Sequence, residues 1–146
     1  MQWVFDKNGN LPSNIQLGFA EFRHAFGFTE GRRRKIANLL ILLKLLRKFG
    51  CHEVRVAGSF ASTKQNPNDI DICVNITFLD YYAFKRNFPF FFTTSGIKKY
   101  KTQQKVDVGM FFDNYDLNFL SFFEKDRENN SKGLVIIPLY DIESYD

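Results

Sequence analysis

The chain has no hydrophobic segment long enough to cross a lipid bilayer. Its longest nearly continuous apolar run, Ile36–Leu46, is interrupted by Asn38 and Lys44. That run is far shorter than the roughly 20 residues that a membrane-spanning helix needs. The amino terminus has neither a basic segment nor a small-residue cleavage site, so we expect no signal peptide. The sequence therefore predicts a cytoplasmic protein that has no membrane partner.

Cysteine is scarce as well. Cys51 and Cys73 are the two cysteines of the chain, and two cysteines cannot form a disulfide framework. No cluster of Cys and His has the spacing of a zinc site. These absences exclude a disulfide-rich secreted domain and a small zinc module.

The composition is that of one folded domain with an uneven charge distribution. The 146 residues are 45% hydrophobic and 17% aromatic, which is enough for a core. Residues 1–105 carry 17 Lys and Arg against 7 Asp and Glu, whereas residues 106–146 carry 3 against 9. A basic front half favours a phosphate-bearing ligand, and a solvated basic surface is the alternative. We expect a single domain over residues 1–146, in which residues 1–28 form an N-terminal extension that packs on the core.

Hydrophobic periodicity predicts helices that alternate with strands. Apolar residues at helical spacing predict a short helix over Ile15–Phe28 and a longer helix from Thr29 to Gly50. Together with short apolar runs between turn residues, they predict an α/β (α+β) fold with a small mixed sheet. The predicted strands are Val54–Ala57, Ile70–Ile76, Val106–Phe112 and Leu134–Leu139, and the remaining predicted helices are Leu79–Arg86 and Leu117–Glu124.

Two segments leave alternatives open. The tract Arg32–Lys35 lies near the start of the second helix, where the helix dipole disfavours cations. A phosphate or acidic partner is one explanation for this tract, and a solvated basic face is the other. The segment Phe88–Thr94 holds four phenylalanines around Pro89 and fits an edge strand, a core plug or an exposed partner surface, of which we favour the core.

Two acids at the start of the second predicted strand carry the main chemical signal. Side chains alternate along a strand, so Asp69 and Asp71 project from the same face. Close carboxylates repel each other, and a cation between them removes that repulsion. Ligands that are all oxygen favour magnesium or manganese. Two solvated acids at a strand start are the simpler alternative.

A glycine-serine turn and a third acid complete the pattern. Gly58 permits close backbone approach, and exposed amides together with the Ser59 hydroxyl can bind phosphate. Asp107 opens the strand Val106–Phe112, and pairing of that strand with the Asp-x-Asp strand would gather three carboxylates able to hold two metal ions. A Walker A loop does not fit, because Thr63 stands at its second glycine. A glycosyltransferase-type Asp-x-Asp motif remains an alternative.

The order of Gly58-Ser59, Asp69-Ile70-Asp71 and a distant Asp107 on a strand resembles the nucleotidyltransferase superfamily. The palm domain of that superfamily is shared with DNA polymerase beta and with minimal bacterial nucleotidyltransferases. A narrower resemblance, to an uncharacterised prokaryotic family of small nucleotidyltransferase-like proteins, spans nearly the whole chain. The stretches that carry it are Gly9–Pro12, Glu21–Gly27, Gly58–Phe60 with Lys64, Asn66–Asp71, Phe122–Arg127 and Lys132–Gly133.

The resemblance implies a nucleotidyltransferase palm with helices on one face of the sheet. It implies ATP or another nucleoside triphosphate as donor, two Mg²⁺ or Mn²⁺ ions, and transfer of a nucleoside monophosphate to a hydroxyl of a protein, an RNA or a small molecule. It assigns nucleotide binding to Gly58 and Ser59, with Lys64 in place of the arginine that many relatives carry after the turn. The catalytic and metal-binding residues that it implies are Asp69, Asp71 and Asp107, the last also as base.

Two other function classes stay open beside this enzyme hypothesis. A catalytically inactive binding module, such as an antitoxin-like partner of another protein, is favoured by the missing arginine and by the segment Phe88–Phe92. A nucleic-acid binder would use the basic tracts Arg32–Lys35 and Lys98–Lys101. Within the enzyme hypothesis, Asp113 is the alternative to Asp107 as the third acid.

Overall fold

The fold is α+β, as the sequence predicts. A computed structural model describes residues 5–112, 124–125, 128, 130 and 132–146, and within these ranges it contains a five-stranded mixed sheet and four α-helices. The strands are β1 (Ile15–Gln16), β2 (Glu53–Ala57), β3 (Ile70–Asn75), β4 (Val106–Phe111) and β5 (Val135–Pro138). The helices are α1 (Phe19–Phe26), α2 (Glu30–Lys48), α3 (Tyr81–Asn87) and α4 (Thr94–Gln104).

The sheet brings three chain segments to one edge. The strand order is β1-β5-β2-β3-β4, with β3 parallel to β4 and β2 antiparallel to both of its neighbours. In this register Ala57 of β2 pairs with Asp71 of β3, and Asp71 pairs with Asp107 of β4. The end of β2 therefore meets the starts of β3 and β4.

The core lies against one face of the sheet. Along β2 and β3 every second side chain is an apolar residue that faces this core, as in Val54 and Val56, which pair with Val74 and Ile72. Apolar side chains also recur every three or four residues on α1 and α2, so each helix presents one apolar stripe to the sheet. The buried helix residues in the core are Phe19, Phe22, Phe26, Ile36, Leu39, Leu40, Leu42, Leu43 and Leu46.

Helix α2 begins and ends close to the predicted positions. Oγ1 of Thr29 accepts a hydrogen bond from the backbone N–H of Arg32 at 3.2 Å, which caps the first turn. After the helix ends, Gly50 adopts a φ of +92°, a left-handed conformation that costs glycine little. The prediction of a helix between these two signals is confirmed.

The N-terminal helix is shorter than predicted. Ile15 and Gln16 form strand β1, which pairs in parallel with β5, and helix α1 starts only at Phe19. A strand of two residues is too short to show the alternation by which strands are recognised in sequence. Phe22 and Phe26 are fully buried, so the described part of the N-terminal extension does pack on the core.

Helix α4 has no counterpart among the predicted elements. None of its residues is buried, so it lacks the apolar stripe that identifies a helix in sequence. Local chemistry defines its start instead, because Oγ1 of Thr93 accepts a hydrogen bond from the N–H of Gly96 at 3.1 Å. The helix leads directly into β4.

The aromatic segment before α4 belongs mainly to the core. Pro89–Phe92 forms a short 3₁₀ turn in which Phe91 is buried. Phe88 and Phe92 pack against the core, whereas Phe90 is exposed. The favoured interpretation of this segment is confirmed for three of its four rings.

Some predicted features fall outside the described residues. Of the helix predicted over Leu117–Glu124, only Glu124 is among the described residues. The alternative acid Asp113 lies outside them. Among the helices that the structure describes, none combines the length and the apolar character needed to cross a membrane.

We expect Phe22→Ala to lower the free energy of unfolding by about 3 kcal/mol, because it leaves a cavity between α1 and the sheet. Urea denaturation followed by circular dichroism measures this change. The control is Ile41→Ala on α2, where the side chain is 67% exposed and the loss should stay below about 0.5 kcal/mol. Equal small losses in both variants would mean that residues 1–28 are not part of the cooperative domain.

Candidate active site

The three acids predicted from the sequence meet at one edge of the sheet. Asp71 and Asp107 occupy paired positions on β3 and β4, whose backbones lie about 4.8 Å apart as in any sheet. Asp69 stands one residue before β3, and its Oδ2 is 3.6 Å from Nζ of Lys101. The same Nζ is 3.4 Å from Oδ2 of Asp107. The predicted pairing of the two strands is thus confirmed, and it gathers the three carboxylates around one lysine.

This carboxylate cluster, Asp69, Asp71 and Asp107, is short of positive charge. Burial, together with the charges of Asp69 and Asp107, raises the pKa of Asp71 to about 7, and the Lys101 ammonium offsets only part of this effect. The carboxylates of Asp107 and Asp69 in turn raise the pKa of Lys101, which keeps its charge. A further cation near Asp71 would stabilise the ionised cluster.

The glycine-serine turn lies directly against this cluster. Gly58–Ala61 forms a short 3₁₀ turn that follows β2 without a break, beside the Ala57–Asp71 pair. Gly58 has a φ of +68°, and a Cβ atom at this position would overlap the carboxylate of Asp71. Glycine is therefore required here both for its backbone conformation and for the space that it leaves. The turn and Asp71 form one site.

Arg32 of α2 holds the turn in place from behind. Its guanidinium donates hydrogen bonds to the backbone carbonyls of Phe26, Phe60, Ser62 and Lys64 at 2.7–3.1 Å, with a longer contact of 3.4 Å to that of Ser59. The residue is 1% exposed, and within the described part of the chain it forms no ion pair with a carboxylate. Burial lowers the pKa of Arg32 only to about 10, so a cation stays charged beneath the turn.

Sequence reasoning missed this role of Arg32, although a signal for it existed. A cation in the first turn of a helix is disfavoured by the helix dipole, so something outside the helix had to favour it. The compensating groups are the carbonyls of a loop about 30 residues away. Because Arg32 is buried, only Arg33, Arg34 and Lys35 of the tract Arg32–Lys35 can contribute to a basic surface.

The N-terminal loop supports the turn from the other side. The carbonyl of Gly9 accepts a hydrogen bond from the N–H of Thr63 at 3.0 Å, and Asn10 forms a β-bridge with Ser62. The carbonyl of Leu11 accepts a hydrogen bond from the N–H of Gly133 at 2.7 Å. Motif residues near both ends of the sequence therefore contact one another, next to the residues that follow the turn.

The two remaining predicted nucleotide-binding side chains are placed differently. Ser59 lies within the turn and is half-buried, and its carbonyl accepts a hydrogen bond from the hydroxyl of Ser62. Lys64 contributes its carbonyl to Arg32, while its side chain is exposed. Ser59 therefore belongs to the turn itself, and the Lys64 side chain extends into solvent beside it.

The donor set can be compared with what a divalent cation requires. In the residues that the structure describes, no group of three or more His, Cys, Asp and Glu side chains is arranged to hold a metal ion. Asp69 and Asp107 are instead both paired with one ammonium, that of Lys101. Magnesium commonly uses only one or two carboxylates, and substrate phosphates supply its other ligands. Asp69 and Asp71 together supply two carboxylates at the glycine turn, which meets that smaller requirement.

Comparison with known proteins places the chain in a family without assigning it an activity. A family model described as a family of unknown function (DUF6932) matches residues 3–138, so the chain belongs to that family. No curated protein and no solved structure matches it.

Arg32→Met should lower the free energy of unfolding by about 3 kcal/mol, because several buried carbonyls lose their donor. Chemical denaturation measures the loss. The control is Arg34→Met, which removes an exposed guanidinium paired with Glu30 at 2.9 Å and should cost less than about 1 kcal/mol. Similar losses in the two variants would contradict the structural role of Arg32.

Asp71 should make the protein less stable as pH rises. Its pKa is higher in the folded protein than in the unfolded chain, so the unfolded chain loses its proton first. The stabilising contribution of the protonated form is complete below about pH 4 and disappears as pH rises through about 7. Because the carboxyl keeps some contact with solvent, we expect Asp71→Asn to raise the free energy of unfolding by about 2 kcal/mol at pH 8 in metal-free buffer, and to change it little at pH 4.

Unfolding curves between pH 4 and 8 test this expectation. The control is Glu21→Gln, an exposed acid on α1 that should give a curve parallel to that of the wild type. A parallel curve for Asp71→Asn would show that burial of this carboxylate costs nothing.

Proposed function

We propose that this member of the DUF6932 family is a metal-dependent nucleotidyltransferase, which transfers a nucleoside monophosphate from ATP or another nucleoside triphosphate to an acceptor hydroxyl. One observation carries the proposal: the Gly58 backbone lies against Asp71 at the point where Asp69, Asp71 and Asp107 meet. A phosphate-binding turn and a cation-binding cluster thereby share one edge of the sheet, which this chemistry requires. The acceptor hydroxyl belongs to a protein, an RNA or a small molecule.

The triphosphate would bind at the turn. Gly58 in a left-handed conformation, followed by residues in a right-handed 3₁₀ turn, arranges successive N–H groups in the way that favours an anion. The Ser59 hydroxyl adds a donor. The uncompensated charge of buried Arg32 makes the turn electropositive, and this charge supplies part of what the missing arginine after the turn would provide. Lys64, which is exposed beside the turn, is placed to meet the outer phosphates.

The carboxylates would act at the transferred group. Asp69 and Asp71 would hold magnesium or manganese, which would supply positive charge to offset the negative charge that develops on the phosphate oxygens. Asp107 accepts the proton of the acceptor hydroxyl, whose oxygen forms a bond to the α-phosphorus. The bond between that phosphorus and the oxygen leading to the β-phosphate breaks, and pyrophosphate leaves. In this assignment Asp107 is the base, and the other two acids are cation ligands.

The proposal includes a cytoplasmic location, where ATP is supplied. Cys51 and Cys73 are both buried free thiols, which suits a reducing compartment. Burial raises the pKa of each thiol to about 12, so neither is available as a reactive thiolate. Neither cysteine takes part in the proposed reaction.

Wild-type protein should bind ATP in the presence of Mn²⁺, and Asp71→Asn should weaken that binding at least tenfold, because a cation ligand next to the turn is lost. Isothermal titration with a nonhydrolysable ATP analogue measures the affinity. The matched control is Glu143→Gln, an exposed acid in the C-terminal segment whose loss should change the affinity less than twofold. Equal or negligible binding in wild type and Asp71→Asn would reject the proposal.

ATP labelled at two different phosphates then distinguishes nucleotide transfer from nucleotide binding alone. ATP labelled at the α-phosphate should pass its label to an acceptor, whereas ATP labelled at the γ-phosphate should not. Tight Mn²⁺-dependent binding without any transfer of α-label to a protein, an RNA or a small molecule would support the inactive binding module instead.

A further inference from the structure

The ammonium group of Lys101 lies within the carboxylate cluster, where a metal ion would otherwise bind. Its Nζ lies 3.4 Å from Oδ2 of Asp107 and 3.6 Å from Oδ2 of Asp69, so one ammonium bridges two acids from different chain segments. Such bridging of two carboxylates is what a metal ion would do at this point. The lysine side chain is 44% exposed, so it reaches the cluster from the solvent side.

The position of Lys101 is determined by the way α4 joins the sheet. Lys105 follows the last residue of α4 and has a φ of +62°. Its N–H donates a hydrogen bond to the carbonyl of Lys101. The carbonyl of Lys105 accepts a hydrogen bond from the N–H of Ile70 at 2.9 Å. Asn38 of α2 donates a hydrogen bond to the carbonyl of Gln104 at 3.0 Å. The helix end is therefore fixed to β3 and to α2, and Lys101 stands one turn before that anchor.

Charge decides how many further cations the cluster can accept. When its three carboxylates are ionised, Lys101 compensates one negative charge and leaves two. One divalent cation neutralises these two charges. A second divalent cation would give the cluster excess positive charge beside an ammonium group, and the low dielectric of a partly buried site strengthens that repulsion.

We infer that Lys101 replaces one of the two metal ions, so that the site binds a single divalent cation through Asp69 and Asp71. This inference rests on the proposed function and replaces the two ions that the resemblance implies with one. It agrees with the ion pair that Asp107 already forms, since its Oδ2 lies 3.4 Å from Nζ of Lys101. The ammonium of Lys101 stays beside Asp107 during the reaction and takes the part that a second ion plays in a two-metal site.

Titration with Mn²⁺ alone tests the inference, with free Mn²⁺ measured by electron paramagnetic resonance. Wild-type protein should bind one Mn²⁺ per chain, and Lys101→Met should bind two. Lys101→Arg keeps the positive charge and should bind one. The matched control is Lys98→Met, which removes a charge one turn earlier on the same helix, where the side chain is exposed, and should also bind one ion with an affinity within twofold of wild type.

The titration distinguishes a wrong number of ions from the absence of a metal site. Two ions bound by the wild type, or one ion bound by a folded Lys101→Met, would overturn the inference and leave the metal site intact. If Lys101→Met does not fold, two ions bound by Lys101→Gln support the inference and one ion overturns it. Absence of Mn²⁺ binding in wild type and in every variant, both alone and with the nonhydrolysable ATP analogue, would remove the metal site itself, and the proposed function with it.

Discussion

The candidate site depends on one buried guanidinium. Arg32 gathers backbone carbonyls from both sides of the Gly58–Ala61 turn and leaves no freedom for that loop to move away from β2. A charge in this position must be stabilised by oriented dipoles, because no described carboxylate pairs with it. The same contact thus shapes the turn and keeps a charged guanidinium beneath it. The sheet register brings the three acids together without Arg32, but the conformation of the Gly58–Ala61 turn beside them depends on Arg32.

The register of the sheet is the second constraint. Because residues on neighbouring strands pair one to one, a shift of β4 by a single residue would move Asp107 to the apolar face. The buried valines and isoleucines of that face prevent the shift, so core packing and the geometry of the acids have the same cause. Lys101 then adds a positive charge that the sheet does not supply.

Strong local signals made part of this arrangement predictable. The period of helix α2, the strands around Asp71 and Asp107, and the turn at Gly58 each follow from side-chain pattern or backbone conformation, and the structure contains them. The role of Arg32 left only an indirect signal in the sequence, because the carbonyls that surround it belong to a distant loop. The role of Lys101 left none, because it depends on where Asp69 and Asp107 meet in the fold. In the sequence, Lys101 belongs to the basic tract Lys98–Lys101, and only the unpredicted helix α4 distinguishes it from the other lysines of that tract. Strand β1 was not predicted, because its two residues form a strand only through their pairing with β5.

The place of β5 in the sheet has a consequence for how the chain folds. This strand comes after the other four in sequence, yet it lies between β1 and β2 and pairs with both of them. During synthesis on the ribosome, the earlier strands emerge while the gap between β1 and β2 is still empty. The first segment of the chain then has no strand to join until residue 138 has left the exit tunnel. Completion of the sheet is consequently a late, long-range event, which makes folding slower than for a fold of the same size built from local pairings.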